Sequence, residues 1–177
     1  MASETTTAQR EQFADTLTYL SKSPTFSRLY TKLEQSPNLY EVRFTSEDSH
    51  RFLENDKGGG TIFFNPNHGL KLATGDVTSA ALGFGHEIGH AEHYETDPQN
   101  FLESKGKPQA EITEAGEIVI SGIRGKKGFE ERAVRVENAI AAEVGEQSVR
   151  MGPNEGVTVQ VPTPTYTCKV ARRNPEC

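Results

Sequence analysis

The stretch Asp76-Val77-Thr78-Ser79-Ala80-Ala81-Leu82-Gly83-Phe84-Gly85-His86-Glu87-Ile88-Gly89-His90-Ala91 decides how the chain is read. Asp76, Thr78 and Ser79 offer capping side chains, and Ala80, Ala81, Leu82, Phe84, Ile88 and Ala91 recur at helical spacing. No proline interrupts the run before Asp97-Pro98, so the spacing predicts one helix that carries His86, Glu87 and His90. Two histidines beside an otherwise apolar stretch are costly to bury without partners.

Residues four apart lie on one helical face, about 6 Å apart along the axis, so the imidazoles of His86 and His90 can converge on a single metal ion. The pattern His-Glu-x-x-His is the chemistry of a zinc hydrolase. Two nitrogens, one further protein ligand and an open position for water complete a catalytic zinc site, and Glu87 stands ready to move the water's proton. The competing reading is an amphipathic helix on which these residues fall by chance. The helical context and the need to satisfy two histidines favour the metal.

The chain has 177 residues, 34% of them hydrophobic, which suits one domain with a real core. Its net charge of −6 and the lack of long basic runs leave no electrostatic footprint for nucleic acid or an anionic membrane. Met1-Ala-Ser-Glu-Thr-Thr-Thr7 lacks the positive start and apolar core of a secretory signal, and no segment approaches the roughly 20 apolar residues of a membrane span. A soluble, monomeric protein made in the cytoplasm is expected. Cys168 and Cys177 are the only cysteines and both lie in the last ten residues. They read as free thiols, with a terminal disulfide or a weak metal pair as alternatives.

Outward from the motif, Phe13, Leu17 and Leu20 mark a helix over 8–21, and Ser23-Pro24 opens a second with Phe26, Leu29 and Leu33, an N-terminal helical hairpin over 1–37. Leu39 to Thr45 alternates as a half-buried strand, and Thr61 to Phe64 reads as a second strand paired with it in a small sheet. Gly58-Gly59-Gly60 reads as a flexible turn, the minority alternative being close approach of a substrate backbone. His50 and His68 are isolated loop histidines without a role. The polar stretch 95–110 reads as loop, Ile118 to Ile123 as a short strand, and Arg124-Gly-Lys-Lys-Gly128 as a solvated basic turn. Gly156 to Val161 alternates like an edge strand, followed by an extended tail over 162–177. The fold class is therefore α+β, a compact domain with a small sheet, an active-site helix and a following ligand-bearing helix.

That second helix spans Phe129 to Val144. At about 100° per residue, Phe129, Ala133, Val136, Ile140 and Val144 share a face, and Glu131, Arg135, Asn138 and Ala142 point away. Glu130 and Glu137 lie at the edge of the apolar face, two turns apart, where unpaired carboxylates are expensive. About 10 Å of axis separates them, so only one can ligate the ion held by His86 and His90, and the residues alone leave both open. Glu143 reads as a surface residue. His93 shares the histidine face but lies a turn beyond the metal; it reads as a surface histidine, or as a neighbour of the site or cleft. The longer metzincin pattern fails, since His93 and Thr96 stand where it needs glycine and histidine.

His86-Glu87-Ile88-Gly89-His90-Ala91-Glu92-His93, the earlier Thr61 to Pro66, and the later Glu130-Glu131-Arg132-Ala133-Val134 with Glu137-Asn138, Glu143 and Arg150 resemble the NleD-like effector metallopeptidases. The similarity covers about Gly58 to Arg150. It implies a zincin-like fold and a one-zinc endopeptidase with His86, His90 and a glutamate as ligands and Glu87 as the catalytic residue. It further implies a bacterial effector or toxin, secreted or injected without a cleavable signal, cutting a protein in the cytosol of a host or competitor cell. In zincins with a glutamate ligand that residue opens a helix and is followed by a small residue three places on, which favours Glu130, with Ala133, over Glu137. The family often places a tyrosine shortly after the position of Arg150, whereas Met151-Gly152-Pro153 follow here. Tyr94, Tyr166 and Arg150 are the candidate oxyanion donors, with Arg150 favoured as an ion-pair partner instead. A non-catalytic binding protein of the same fold and another zinc amide hydrolase are the competing classes. A deformylase-like enzyme would need a cysteine ligand before the motif, and none is present.

Overall fold

The computed structural model describes residues 5–105, 109–112, 118–121, 128–146, 150–152 and 156–169. In chain order the elements are α1 (Thr7–Leu20), α2 (Pro24–Glu34), β1 (Leu39–Phe44), β2 (Arg51–Glu54), β3 (Gly59–Phe64), β4 (His68–Lys71), β5 (Val77–Thr78), α3 (Ala80–Thr96), α4 (Pro98–Lys105), β6 (Gln109–Ile112), β7 (Ile118–Ser121), α5 (Phe129–Val144) and β8 (Val157–Gln160). The class is α+β, as the alternation of periods predicts. No helix among the described residues is long and apolar enough to cross a membrane.

Local chemistry accounts for the helix boundaries. Thr6 and Gln9 close a capping box on α1. The Ser23 hydroxyl accepts from the Phe26 amide ahead of Pro24 in α2, and Ser79 accepts from the Leu82 amide in α3. Glu143, exposed as expected, is nevertheless engaged. It accepts from the Ser23 hydroxyl and from both the amide (3.0 Å) and hydroxyl (2.8 Å) of Thr25, tying α5 to the start of α2. The polar stretch after α3 is not a loop throughout. Pro98 suits a first helical turn, Asp97 Oδ1 accepts from the Asn100 amide at 3.0 Å, and Phe101 is buried, so α4 forms there. Residues 122–127, read as the end of a strand and a basic turn, lie outside the described residues.

The two expected strands do pair, and in parallel. β1 runs alongside β3 from Leu39↔Gly59 to Phe44↔Phe64, and β2, which sequence reading missed, lies antiparallel on the far side of β3. The order β1-β3-β2 leaves β2 at an edge. The triple glycine is not a flexible turn throughout, since Gly59 and Gly60 open β3: Gly58 and Gly59 have φ of +86° and +83°, and a Cβ at Gly60 would lie 2.4 Å from the Leu53 carbonyl oxygen. A second sheet has the order β5-β4-β8, so β8 is the edge strand its alternation predicts.

Helix α3 is the axis of the core. α1, α2, α4, α5, β2, β3 and β4 all pack on it, and every residue from Ala80 to Tyr94 except Gly83 is buried. Phe13, Phe26, Phe64 and Phe84 interlock on one side; Phe52, Tyr94, Phe101 and Phe129 interlock on the other. A helix enclosed this way can carry His86, Glu87, His90, Glu92 and His93 only if each has partners. Beyond β8 the chain turns back: the Ala81 amide donates to the Pro164 carbonyl at 2.8 Å and Cys168 bridges Val77 in antiparallel fashion. Cys168 is disulfide-bonded, which corrects the expectation of a free thiol. The other cysteine of the sequence, Cys177, lies outside the described residues.

Candidate metal centre

Three donor atoms from two helices meet at one point. His86 and His90 project from successive turns of α3 with their Nε2 atoms 3.1 Å apart. Glu130, in the first turn of α5, brings Oε2 to 3.3 Å from the His86 Nε2 and 3.4 Å from the His90 Nε2. These three residues are the group among the described residues that could hold a metal ion. A tetrahedral zinc site with bonds of about 2.0–2.1 Å has ligand-to-ligand edges of roughly 3.3–3.4 Å. The observed spacings fit such a site almost without movement.

Glu137, the alternative third ligand, sits elsewhere. Its Oε2 lies 2.9 Å from the His86 Nδ1, the nitrogen on the opposite side of the ring from the metal position. Arg150 Nη1 donates to the same oxygen at 2.9 Å, and the Arg150 backbone is held on both sides by the Asn138 amide group at 3.0 and 2.8 Å. Glu137 thus fixes the ring orientation of His86, and Arg150 is the ion-pair partner that sequence reading favoured. Opposite, Phe129 stacks on the His90 ring at 4.5 Å and holds it in place.

The electrostatics describe a place that selects positive charge. Burial opposes protonation of His86, yet the hydrogen bonds of Glu130 and Glu137 and the charges of Glu87 and Glu137 outweigh it and push its pKa up to about 10. Glu130 shows the converse. Burial alone would raise its carboxyl, but hydrogen bonds from His86 and His90 hold it well below the usual carboxylate range. A metal cation would take the place that protons fill between these groups.

Glu87 points into the same cleft, a space of about 370 Å³ between α3, α5, β2 and the β4–β8 pair. It is 6% exposed, and burial raises its pKa despite His86 and His90 nearby and a hydrogen bond from the Phe52 backbone. That backbone belongs to the edge strand β2, so the carboxylate lies directly against a strand edge.

The other histidines are placed differently from expectation. His93 is not a surface residue: it is 4% exposed, packs on Phe101 and bonds through Nε2 to Asn100 at 3.0 Å, away from the metal position. His50 and His68 are not idle loop residues, since both line the cleft. The His50 ring lies over Gly83, stacks on Phe64, donates from Nε2 to the His68 carbonyl at 3.1 Å and accepts at Nδ1 from the Asn65 amide at 3.3 Å. Burial lowers its pKa to about 4, so it is a neutral wedge. The one available sequence signal was His68 and Leu70 flanking Gly69, too short an alternation to announce a strand. Tyr94 donates to the Asn55 carbonyl at 3.0 Å, and neither it nor Tyr166 lines the cleft. Comparison with known protein families, curated proteins and solved structures finds no match for this chain.

Proposed function

We propose that the chain is a zinc-dependent endopeptidase. One observation carries this: His86 Nε2, His90 Nε2 and Glu130 Oε2 stand at tetrahedral-edge spacing in a cleft that also holds the buried carboxylate of Glu87. The donor set of two imidazoles and one carboxylate suits zinc, and a carboxylate behind His86 is the usual support for a metal-bound histidine. When bound, zinc would supply Lewis acidity, acidifying water and polarising a carbonyl.

The protein's own residues would do the rest. The edge of β2, paired among the described strands only with β3, offers backbone groups to an extended peptide, which would lie across the cleft as an added strand. Glu87 would take a proton as water oxygen attacks the carbonyl carbon and return it to the leaving nitrogen as the C–N bond breaks. Its burial raises its pKa and suits it to both halves of that transfer. Glu137 and Arg150 would hold His86 in register throughout. The effector part of the proposal, a protein target in the cytosol of another cell, rests on the sequence resemblance. The Cys168 disulfide fits a protein that meets an oxidising compartment on its route.

The test compares new protein N-termini in target-cell lysate treated with wild type or Glu87→Ala, with zinc content measured on both. Wild type should bind one zinc and generate new termini, while the variant should keep its zinc and fold and generate none. Equal cleavage by the variant, or wild type without stoichiometric zinc, would overturn the proposal.

A further inference from the structure

A peptidase of this kind needs a hydrogen-bond donor facing the metal from across the substrate, to meet the oxygen that becomes negative as the carbonyl is attacked. The hydroxyls of Tyr19, Tyr40 and Tyr94 are committed to Glu146, Glu95 and the Asn55 carbonyl. Arg150 is bound to Glu137, and both ring nitrogens of His50 are engaged. His68 is different. It opens β4, on the face it shares with Leu70, and both residues line the cleft with Thr158 of the paired strand β8. Its backbone is anchored by the His50 Nε2–H on its carbonyl and by pairing with Gln160. Its ring is 17% exposed, with Nδ1 buried 3.5 Å from Asp48 Oδ1 and neither nitrogen in a hydrogen bond among the described residues. His68 lines the same cleft as His86, His90, Glu130 and Glu87.

We infer that His68 is the residue that donates to the substrate's carbonyl oxygen in the cleft, through a proton on Nε2. The inference rests on the peptidase function proposed above. An anchored backbone, a ring side placed against Asp48 and an uncommitted Nε2 at the cleft wall are what such a donor requires: its position is set in advance, and no protein bond to Nε2 has to break when substrate arrives.

The experiment uses the zinc-loaded full chain as wild type, His68→Ala and His68→Gln. The probes are the fastest-cut member of a fluorogenic random peptide library and a phosphinic peptide, whose oxygens mimic the tetrahedral state. His68→Ala should lower kcat by about 100-fold with KM little changed, weaken phosphinic-peptide binding by a similar factor, and leave zinc content unaltered. His68→Gln, which restores an N–H donor, should recover part of both losses. Wild-type kcat and phosphinate affinity in His68→Ala would overturn the assignment of His68 and leave the peptidase standing. Wild type that binds zinc but neither cuts any library member nor binds the phosphinate would overturn both.

Discussion

Gly83 lies at the end of the first turn of α3, where replacement by alanine would ordinarily stabilise a helix by up to about 1 kcal/mol. Here the opposite is expected. A Cβ at Gly83 would stand 2.2 Å from His50 Cδ2 and 2.5 Å from its Nε2, so the ring must retreat by more than about 1 Å to reach ordinary contact. It has nowhere free to go. The same ring is pinned by the 3.1 Å bond to the His68 carbonyl, the 3.3 Å bond from the Asn65 amide and its stack on Phe64. Losing two hydrogen bonds costs about 1 kcal/mol each and overpacking roughly 1–3 kcal/mol, against the helix gain of about 1 kcal/mol. Gly83→Ala should therefore destabilise the protein by about 2–4 kcal/mol, which for a chain of this length lowers Tm by roughly 4–16 °C. The assay is thermal and urea unfolding of metal-free protein, followed by circular dichroism. A double-mutant cycle locates the cause: in a His50→Ala background the ring is gone, and Gly83→Ala should become neutral or stabilising. A Tm for Gly83→Ala equal to or above wild type, or the same loss in both backgrounds, would refute the wedge role of His50.

Two further outcomes follow from the site. Glu137→Gln should weaken zinc binding about 10–100-fold by releasing His86, and Glu130→Ala should weaken it more, as competition with a chromogenic chelator will show; the reverse order would exchange their roles. The pH dependence concerns His50, whose pKa falls from 6.5 unfolded to about 4 folded because burial excludes the charged ring. Between those values the unfolded chain binds the extra proton, so stability rises with pH and is lost on acidification from 6.5 towards 4, by about 3 kcal/mol at pH 4. The stability advantage of metal-free wild type over His50→Gln should shrink by that amount between pH 7 and pH 4, and a pH-independent difference in urea titrations would contradict it.

How much of this was legible in sequence depends on element length. α3 and α5 span four or more turns, long enough for a period of 3.6 to declare itself, and α5 begins and ends at Phe129 and Val144 as its apolar residues predict. β1 and β3, six residues each, are long enough to read as strands, and they pair as expected. β2, β4 and β5 hold four, four and two residues, and unlike the Val-Thr-Val-Gln of β8 they show no clear alternation of apolar and polar side chains. α4 carries a single fully buried side chain, Phe101, so its helical face left no pattern in a polar sequence. The wall of the cleft opposite α3 is built from those short pieces, which is why His50 and His68 went unassigned while His86 and His90 did not.

The division of labour between Glu130 and Glu137 shows what spacing can and cannot decide. Periodicity places both carboxylates on one side of α5, about 10 Å apart along its axis, and argues against a shared ion. It cannot say that one imidazole lies between them. An imidazole presents nitrogens on opposite sides of its ring, and α5 lies against α3 so that Glu130 reaches the Nε2 of His86 while Glu137 reaches its Nδ1. Two glutamates that compete in sequence are complementary in space: one stands at the metal position, and the other sets the angle at which His86 faces it. The cost of burying Glu137 is met by Arg150, whose backbone is in turn gripped by Asn138, one residue along the same helix. A single turn of α5 thus supplies both the carboxylate that orients the histidine and the amide that positions its counter-charge, so the Glu137-Asn138 pair supports the candidate metal site from outside its set of three donors.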